Sequence, residues 1–447
     1  MFYNSAYFRE WSAALIATMP SFALGLNNGW LSATHHYFTS DHSPIGPISH
    51  EYISWLSSIP FLSALLGLLF WGNLSERLGR KPTGFILGLP YTIMYAMMCV
   101  SHDQTVILVA RAIGGFANVG CIMCVTLYVK EISRAHTRER LLNMFSLSFS
   151  LGSVYIITVA AFLSYEMLHW LLLSVCVFYL LLLFLIPESP VFHIKNNDFD
   201  KARNSLEWLR QVKDVTILNS EIETLKELFI NKSSIKFVDI FRNKYYFKSM
   251  LMGLFLQTCI INATGFSIFI TFSSYILEDL LHERNVSLYN VTFVVFQTLG
   301  CCLAFFVTNL LGRRTYIVSS CMICSGILFT LSVYHYMNVI IFHLFPLVLM
   351  SIYIVLFDAV TFPVTYIYFN EIISSESSNH IFTIMMLGKN LGWFCSVKLY
   401  TYLLYHIHIA GAFMVFGITC LMVAVISMFF PESKDKSLQT IKAELHS

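Results

Sequence analysis

The stretch GNLSERLGRKP, Gly72 to Pro82, places a cluster of charged residues between two long apolar segments. The segment before it reads FLSALLGLLFW, and the segment after it reads FILGLPYTIMYAMMCV. A fainter copy, NLLGRRTYIV, occurs far downstream at residues 309–318. Charges confined to short loops between apolar segments of this length are typical of a chain that crosses a lipid bilayer many times.

The composition supports the same interpretation. Of the 447 residues, 56% are hydrophobic and 12% are charged, whereas ordinary soluble domains carry roughly 25% charged residues. The Lys and Arg residues form no basic stripe, so we predict no nucleic-acid partner. We find no paired carboxylates at active-site spacing, no nucleophile motif and no cluster of metal ligands. We therefore predict neither an enzyme nor a protein with a cofactor or metal, and no obligate protein partner is evident.

Twelve segments are long and apolar enough to cross the hydrocarbon core, which requires about 20 residues. Most of the Lys and Arg residues lie on one side of these segments, which by the positive-inside rule is the cytoplasmic side and holds both termini. The predicted fold class is an all-α membrane protein. The segments are 11–31, 52–71, 83–101, 104–129, 141–164, 167–186, 247–277, 288–311, 315–335, 339–369, 381–403 and 409–430.

A polar stretch with helical periodicity divides the segments into two groups of six. We expect an N-terminal six-helix half at 1–186 and a cytoplasmic linker with short helices at 187–246. A C-terminal half at 247–430 and a cytoplasmic tail at 431–447 follow.

Three motifs recur in the same order in both halves, which indicates an internal repeat. They are Gly79-Arg80-Lys81 with Gly312-Arg313-Arg314, Glu131-Ile-Ser with Glu371-Ile-Ile-Ser, and Pro187-Glu188-Ser189 with Pro431-Glu432-Ser433. Each motif falls in the corresponding loop of its half. Two related six-helix halves are the plan of major facilitator transporters.

On these motifs the chain resembles the sugar-porter branch of the major facilitator superfamily, and within it the facilitated trehalose and glucose transporter-like proteins. GNLSERLGRKP resembles the inner-loop signature, and PESKDKSLQTI, Pro431 to Ile441, resembles the closing motif. The resemblance covers nearly the whole chain. It implies a twelve-helix fold of two halves that alternately open a central site to either side of the membrane.

The resemblance also implies an intracellular gate built from charged residues at the inner helix ends. The second half departs from the family pattern, because Asn309 stands where an acid is usual and Ser378 where an Arg is usual, so we expect a looser gate there. The predicted gate residues are Glu76, Arg77, Arg80, Lys81, Glu131, Arg138, Arg313, Arg314 and Glu371.

For the substrate site, the resemblance points to amides and aromatic side chains within the apolar segments. Gln257 and Asn262 of the seventh segment match family positions that bind sugar hydroxyls, whereas Leu256 and Ile260 replace other usual residues. In a regular α-helix these two amides would be offset by roughly 140° around the axis. The predicted substrate-binding residues are Gln257, Asn262, Gln297, Tyr366, Asn390, Trp393, Asn27 and Ser146.

Two buried charges stand out, Asp358 in the tenth segment and Lys389 in the eleventh, and we expect them to pair because unpaired charges are costly in a membrane. Asn27 stands where proton-coupled porters tend to carry Asp, and an amide cannot release a proton. Two outer-side sequons, at Asn285 and Asn290, are predicted glycosylation sites.

We predict a facilitative uniporter for a hexose or a trehalose-like disaccharide, located in the plasma membrane. Its predicted partners are the sugar and the lipid bilayer. Two alternatives remain open from the sequence: a transport-dead sugar sensor or receptor, suggested by the altered binding positions, and a proton-coupled sugar symporter.

Overall fold

A computed structural model describes residues 2–446 apart from 39–42, 44, 135, 230–236, 284, 285, 309, 338–342, 374–376, 435 and 437. The described residues form helices and connecting loops, without a strand. The helices are α1 Phe2–Ala17, α2 Met19–Phe38, α3 His50–Leu78, α4 Arg80–Val100, α5 Gln104–Ile132, α6 Arg138–Ala160, α7 Tyr165–Leu185, α8 Pro190–Lys195, α9 Phe199–Arg210, α10 Val215–Phe229, α11 Phe237–Arg242, α12 Lys244–Leu281, α13 Ser287–Val307, α14 Arg313–Met337, α15 Phe345–Ile372, α16 Ser378–Ser427 and α17 Leu438–His446.

The twelve predicted segments all correspond to helix. Ten helices of the described chain are long and apolar enough to cross a membrane. The last of these, within α16, contains two predicted segments, because the backbone at His408 has φ 58° and ψ 175° and so breaks the helix. The first predicted segment is the α1–α2 region. The fold is therefore an all-α membrane protein, as predicted.

The first segment differs from its prediction of one helix at 11–31. The helix is interrupted at Thr18, so α1 ends at Ala17 and α2 begins at Met19. Glu10 on α1 is fully buried and accepts hydrogen bonds from the Thr137 hydroxyl and the Arg134 backbone N–H. Arg210 of α9 also pairs with Glu10, at 3.4 Å. These contacts hold α1 against the loop at 134–137 and against α9, and hydropathy alone does not reveal them.

The chain forms two compact units, whose boundaries differ from the predicted halves. The first unit comprises 1–27, 63–152 and 166–233, and the second comprises 28–62, 153–165 and 234–447. The short helices α8 to α10 belong to the first unit, where they share a small apolar core. That core consists of Val191, Ile194, Ala202, Leu206, Leu218, Ile222 and Leu225.

Helix α12 is not a regular α-helix along its length. Residues Phe255–Ala263 form a π-helix, and Gly265 then adopts φ 91°, where a left-handed backbone favours glycine. Helices α5 and α15 contain shorter π-helical segments, Cys121–Val125 and Phe357–Thr361. Such segments frequently occur at functional sites, and broken helices in membranes are tolerated where they line a cavity or are buried in protein.

Candidate functional site

The first group of functional residues lies at one end of the first unit and is centred on Arg80. Its guanidinium makes a bidentate pair with Glu131, with both N–O distances 2.8 Å. It also donates to the Ser75 carbonyl oxygen, at 3.0 Å, and to Glu76, at 3.0 Å. The Ser189 hydroxyl donates a further hydrogen bond to Oε2 of Glu131. Bidentate pairs of this kind combine charge with fixed geometry.

The carboxylate of Glu188 caps the beginning of α4. It accepts from the backbone N–H of Arg80 at 2.9 Å and from that of Lys81 at 3.1 Å. A Cβ on Gly79, whose φ is 101°, would collide with this carboxylate, so the motif requires glycine. Burial raises the pKa of Glu188, while its backbone hydrogen bonds and Arg80 oppose that increase. A carboxylate at a helix N-terminus also interacts favourably with the helix dipole.

The second unit repeats this arrangement contact by contact. Arg313 pairs with Glu371 at 3.1 Å, and the Ser433 hydroxyl donates to Glu371 at 2.6 Å. Glu432 accepts from the backbone N–H of Arg313, at 2.7 Å. In each copy a tyrosine hydroxyl donates to a proline carbonyl oxygen at 2.7 Å. We call Arg80, Glu131, Glu188, Ser189 and Tyr128 the first cluster, and Arg313, Glu371, Glu432, Ser433 and Tyr368 the second cluster.

The clusters explain why the three sequence motifs recur in register, since each motif contributes one side of the same cluster. Sequence reasoning named the Arg and Glu residues for the gate but missed the roles of Glu188, Glu432 and the two tyrosines. Their signal was the repeated Pro-Glu-Ser motif itself, which served only as evidence for the repeat.

The side chains of three predicted gate residues make other contacts, and a fourth is exposed. The Lys81 amine donates to the Phe184 carbonyl oxygen, and the Arg314 guanidinium donates to carbonyl oxygens at the end of α16 and in the loop that follows it. Arg138 donates to the Ser133 carbonyl oxygen. Arg77 is exposed. These side chains contribute positive charge at the helix ends. Lys81 and Arg314 reach the clusters only through their backbone N–H groups, which donate to Glu188 and Glu432.

Buried amides meet in the second unit around the π-helical part of α12. Gln257 is 0% exposed and Asn262 is 2% exposed. The Asn262 amide nitrogen donates to the Lys389 carbonyl oxygen of α16 at 3.2 Å. Both amides lie in the π-helix Phe255–Ala263, whose hydrogen bonds join residues five apart, so the offset of roughly 140° expected for a regular α-helix does not apply to this segment.

These side chains share one property: each has polar atoms that find no hydrogen-bond partner among the described residues. Protein interiors rarely leave polar atoms in this condition, and each such atom requires an explanation. Sequence reasoning named the three amides, named Asp358 only as a partner for Lys389, and missed Thr258 and Thr361. The atoms are both amide atoms of Gln257, Asn262 Oδ1, Gln297 Nε2, Thr258 Oγ1, Thr361 Oγ1 and Asp358 Oδ2.

The predicted pair between Asp358 and Lys389 is not formed. Asp358 lies beside Gln297, and a Cβ on Gly300 of α13 would approach within 3.1 Å of the Asp358 Cβ. Lys389 instead donates from Nζ to the Tyr366 hydroxyl at 3.2 Å. The π-helical segment Phe357–Thr361 rotates the Asp358 side chain out of the register that a regular helix predicts.

The other predicted aromatic and amide residues of the second unit each contact at least one other side chain or backbone group. Asn390 donates to the carbonyl oxygen of Met386 on its own helix, at 2.7 Å. The Trp393 ring stacks on Phe61 with centroids 4.8 Å apart, which covers one face, while its Nε1 has no partner among the described residues. Tyr366 is half-buried and accepts from Lys389.

The remaining predicted binding residues lie in the first unit. Both ends of the Asn27 amide are engaged: Nδ2 donates to Asn118 at 3.0 Å, and Oδ1 accepts from the Arg111 guanidinium. The Tyr91 hydroxyl also donates to Asn118, at 3.0 Å. Asn27 is thus part of a buried polar network. Ser146 is half-buried on α6.

A separate hydrogen-bonded cluster in the second unit joins α2, the C-terminal part of α12 and α13. The Ser32 hydroxyl lies 2.6 Å from that of Ser273, and His35 bonds Glu278. Asn290, predicted as a glycosylation site, is 1% exposed, and its Nδ2 donates to Ser32 at 3.0 Å and to Ser274 at 2.7 Å. This geometry does not fit a glycan on that nitrogen. The other predicted site, Asn285, lies outside the described residues.

The family follows from comparison with known proteins. The sequence profile described as "Sugar (and other) transporter" matches residues 11–445. The chain belongs to this family. It is 26% identical to the facilitated trehalose transporter Tret1 of Apis mellifera ligustica, over 98% of this chain and 88% of that protein. It is 24% identical to the sugar transporter ERD6-like 6 of Arabidopsis thaliana, over 97% and 89%.

Solved structures show the same fold in this transporter family. The xylose transporter XylE of E. coli, in a partially occluded inward-open conformation, superimposes with a TM-score of 0.79 at 16% identity, covering 96% of this chain and 99% of that one. The proton:xylose symporter XylE bound to 6-bromo-6-deoxy-D-glucose gives 0.75 at 17% identity, covering 99% and 100%. The twelve-helix major facilitator fold expected from the sequence is therefore confirmed.

Proposed function

We propose that this transporter carries a hexose or a trehalose-like disaccharide across the plasma membrane by facilitated uniport, with both termini in the cytoplasm. The observation that carries the proposal is the set of buried, unpartnered polar atoms around the π-helical part of α12. Amides offer donors and acceptors together, which suits sugar hydroxyls. Named relatives that are facilitated trehalose transporters support this substrate class.

The broken helix supports alternating access to this site. In α12, Gly265 separates the π-helical part from the helical part Phe266–Leu281, which is itself kinked at Phe272, so the parts can reorient at these two breaks. We propose that the first and second clusters hold the cytoplasmic ends of their helices together and bias the equilibrium between two states. States that differ by a few kcal/mol respond to small changes in such contacts.

Uniport rather than proton symport is supported by Asn27. A carboxylic acid beside a guanidinium could take up and release a proton, whereas the amide of Asn27, bonded to Arg111 and Asn118, cannot. The Asn27→Asp variant places a titratable group at this position. We expect sugar uptake by the natural protein to be unaffected by a proton gradient, and uptake by Asn27→Asp to depend on external pH.

The test is uptake of radiolabelled sugars into liposomes that contain the purified protein. We expect saturable uptake without a proton gradient, and a loss of at least tenfold in Gln257→Ala and Gln297→Ala. The matched control is Gln439→Ala, because this glutamine is exposed on α17 and should leave uptake unchanged. Binding without flux would favour the sugar sensor, and flux that requires a proton gradient would favour the symporter.

A further inference from the structure

Lys389 places a positive charge inside the buried polar site. Its side chain lies on α16, eleven residues beyond the helix start at Ser378, which is about 16 Å along the axis. The residue is 7% exposed. Its own carbonyl oxygen accepts from Asn262, so Lys389 belongs to the same group of side chains as the helix α12 amides.

The Lys389 ammonium has an incomplete set of partners. It offers three donors, and the described residues supply one acceptor, the Tyr366 hydroxyl at 3.2 Å, with the Tyr366 ring centroid 6.0 Å away. None of the described carboxylates forms an ion pair with it. The buried Arg80 and Arg313, in contrast, each have a glutamate partner. A buried charge without a counterion is costly, so a functional reason for this lysine is expected.

Two chemically different kinds of polar group therefore line the site. Around Gln257, Gln297 and Asp358 the unpartnered atoms are amide and carboxylate atoms, which suit neutral hydroxyls. Around Lys389 the polar groups are its ammonium and the Tyr366 phenol to which it donates, and these suit an anion. Asp358 lies beside Gln297 and makes no ion pair with Lys389. Its carboxyl group therefore does not serve as the counterion of the Lys389 ammonium.

We propose that the site also accepts a sugar that carries a carboxylate, as in a hexuronate, and that Lys389 with Tyr366 binds this group. The inference rests on the proposed function and specifies the substrate class of the same site. A single ammonium and one hydroxyl match one negative charge, and a charge-assisted hydrogen bond to a carboxylate is stronger than one between neutral groups. The amides of Gln257 and Gln297 hold the ring hydroxyls, and Lys389 distinguishes the acid from the neutral sugar.

The experiment compares glucuronate, its methyl ester and glucose as inhibitors of labelled-sugar uptake into liposomes that contain the purified protein. The ester has nearly the shape of the acid but lacks its charge. For the natural protein we expect glucuronate to inhibit at least tenfold more strongly than the ester. In Lys389→Met we expect this ratio to fall to about one. The matched control is Lys398→Met, since Lys398 lies on the same helix but over the Trp55 ring, 3.6 Å from its centroid.

Each outcome has a distinct meaning. If glucose is transported but glucuronate inhibits no better than its ester, the inference is overturned and the proposed function stands. If none of the sugars is transported or bound, the proposed function fails and this inference fails with it. Should Lys389→Met not fold, the ratio measured on the natural protein decides the question alone.

Discussion

The two copies of the charged cluster make the same connections but differ in how deeply they are buried. In the first cluster the side chains of Arg80 and Glu131 are 0% and 1% exposed. In the second, Arg313 and Glu371 are 9% and 28% exposed, with longer N–O distances of 3.1 to 3.4 Å. The repeat thus fixes which residues meet, while the surroundings of each copy set how strong the contact is.

Neighbouring side chains explain the difference in burial. The Phe192 ring lies over the Arg80 guanidinium, 5.5 Å from its centroid, and Glu76 adds a second carboxylate that also pairs with Lys195 at 2.9 Å. In the second half the residue predicted in the place of Glu76 is Asn309, which lies outside the described residues. A more exposed pair is more strongly screened by water, so it should contribute less to stability.

Removing the shared carboxylate from each cluster should give the largest contrast. Glu131→Gln leaves the Arg80 charge buried without its bidentate partner, which we expect to cost about 3 kcal/mol or more. Glu371→Gln removes a partner that water can partly replace, and we expect a cost of about 1 kcal/mol. The measurement is the thermal unfolding midpoint of each purified variant in one detergent.

Glu76→Gln is the control for this contrast, because it removes the more exposed partner of the same arginine and should cost less than about 0.5 kcal/mol. Equal midpoints for Glu131→Gln and Glu371→Gln would show that burial does not distinguish the two clusters.

The two clusters also show which features of the structure can be predicted from the sequence. Apolar length predicted the twelve spans, and motifs in register predicted that Arg80 and Arg313 occupy equivalent places. The sequence could not predict the depth of each cluster, because burial depends on side chains brought from other helices, such as Phe192. It also missed the π-helical segments, since a single additional residue in a helical turn leaves no signal in hydropathy. The wrong Asp358–Lys389 pairing came from that omission.

The glycines that precede the two arginines should differ in their tolerance of alanine. Gly79 has φ 101° and ψ 173°, a conformation restricted almost entirely to glycine, and an added Cβ would also collide with Glu188. A Cβ added to Gly312 would collide with Glu432. The φ of Gly312 is not positive, however, so its backbone conformation is open to alanine. We expect Gly79→Ala to cost about 2 to 3 kcal/mol, and Gly312→Ala about 1 kcal/mol less, because only the first adds backbone strain.

Unfolding midpoints and transport rates of the two alanine variants measure this difference. Gly326→Ala serves as the control, because a Cβ there meets no atom within 4 Å. A loss in Gly312→Ala as large as that in Gly79→Ala would mean that the collision with the carboxylate dominates and the backbone conformation contributes little.

The tyrosines should show the smallest effect and no contrast between clusters. Tyr128 and Tyr368 each donate to a proline carbonyl oxygen at 2.7 Å, and these two contacts have the same geometry although their neighbouring ion pairs differ. Tyr128→Phe and Tyr368→Phe each remove one buried hydrogen bond, so we expect a loss of about 1 kcal/mol in both, read from the same unfolding midpoints. Tyr402→Phe, at an exposed position on α16, is the matched control. If Tyr128→Phe cost clearly more than Tyr368→Phe, the difference between the clusters would extend beyond the ion pairs to the whole packing of each helix end.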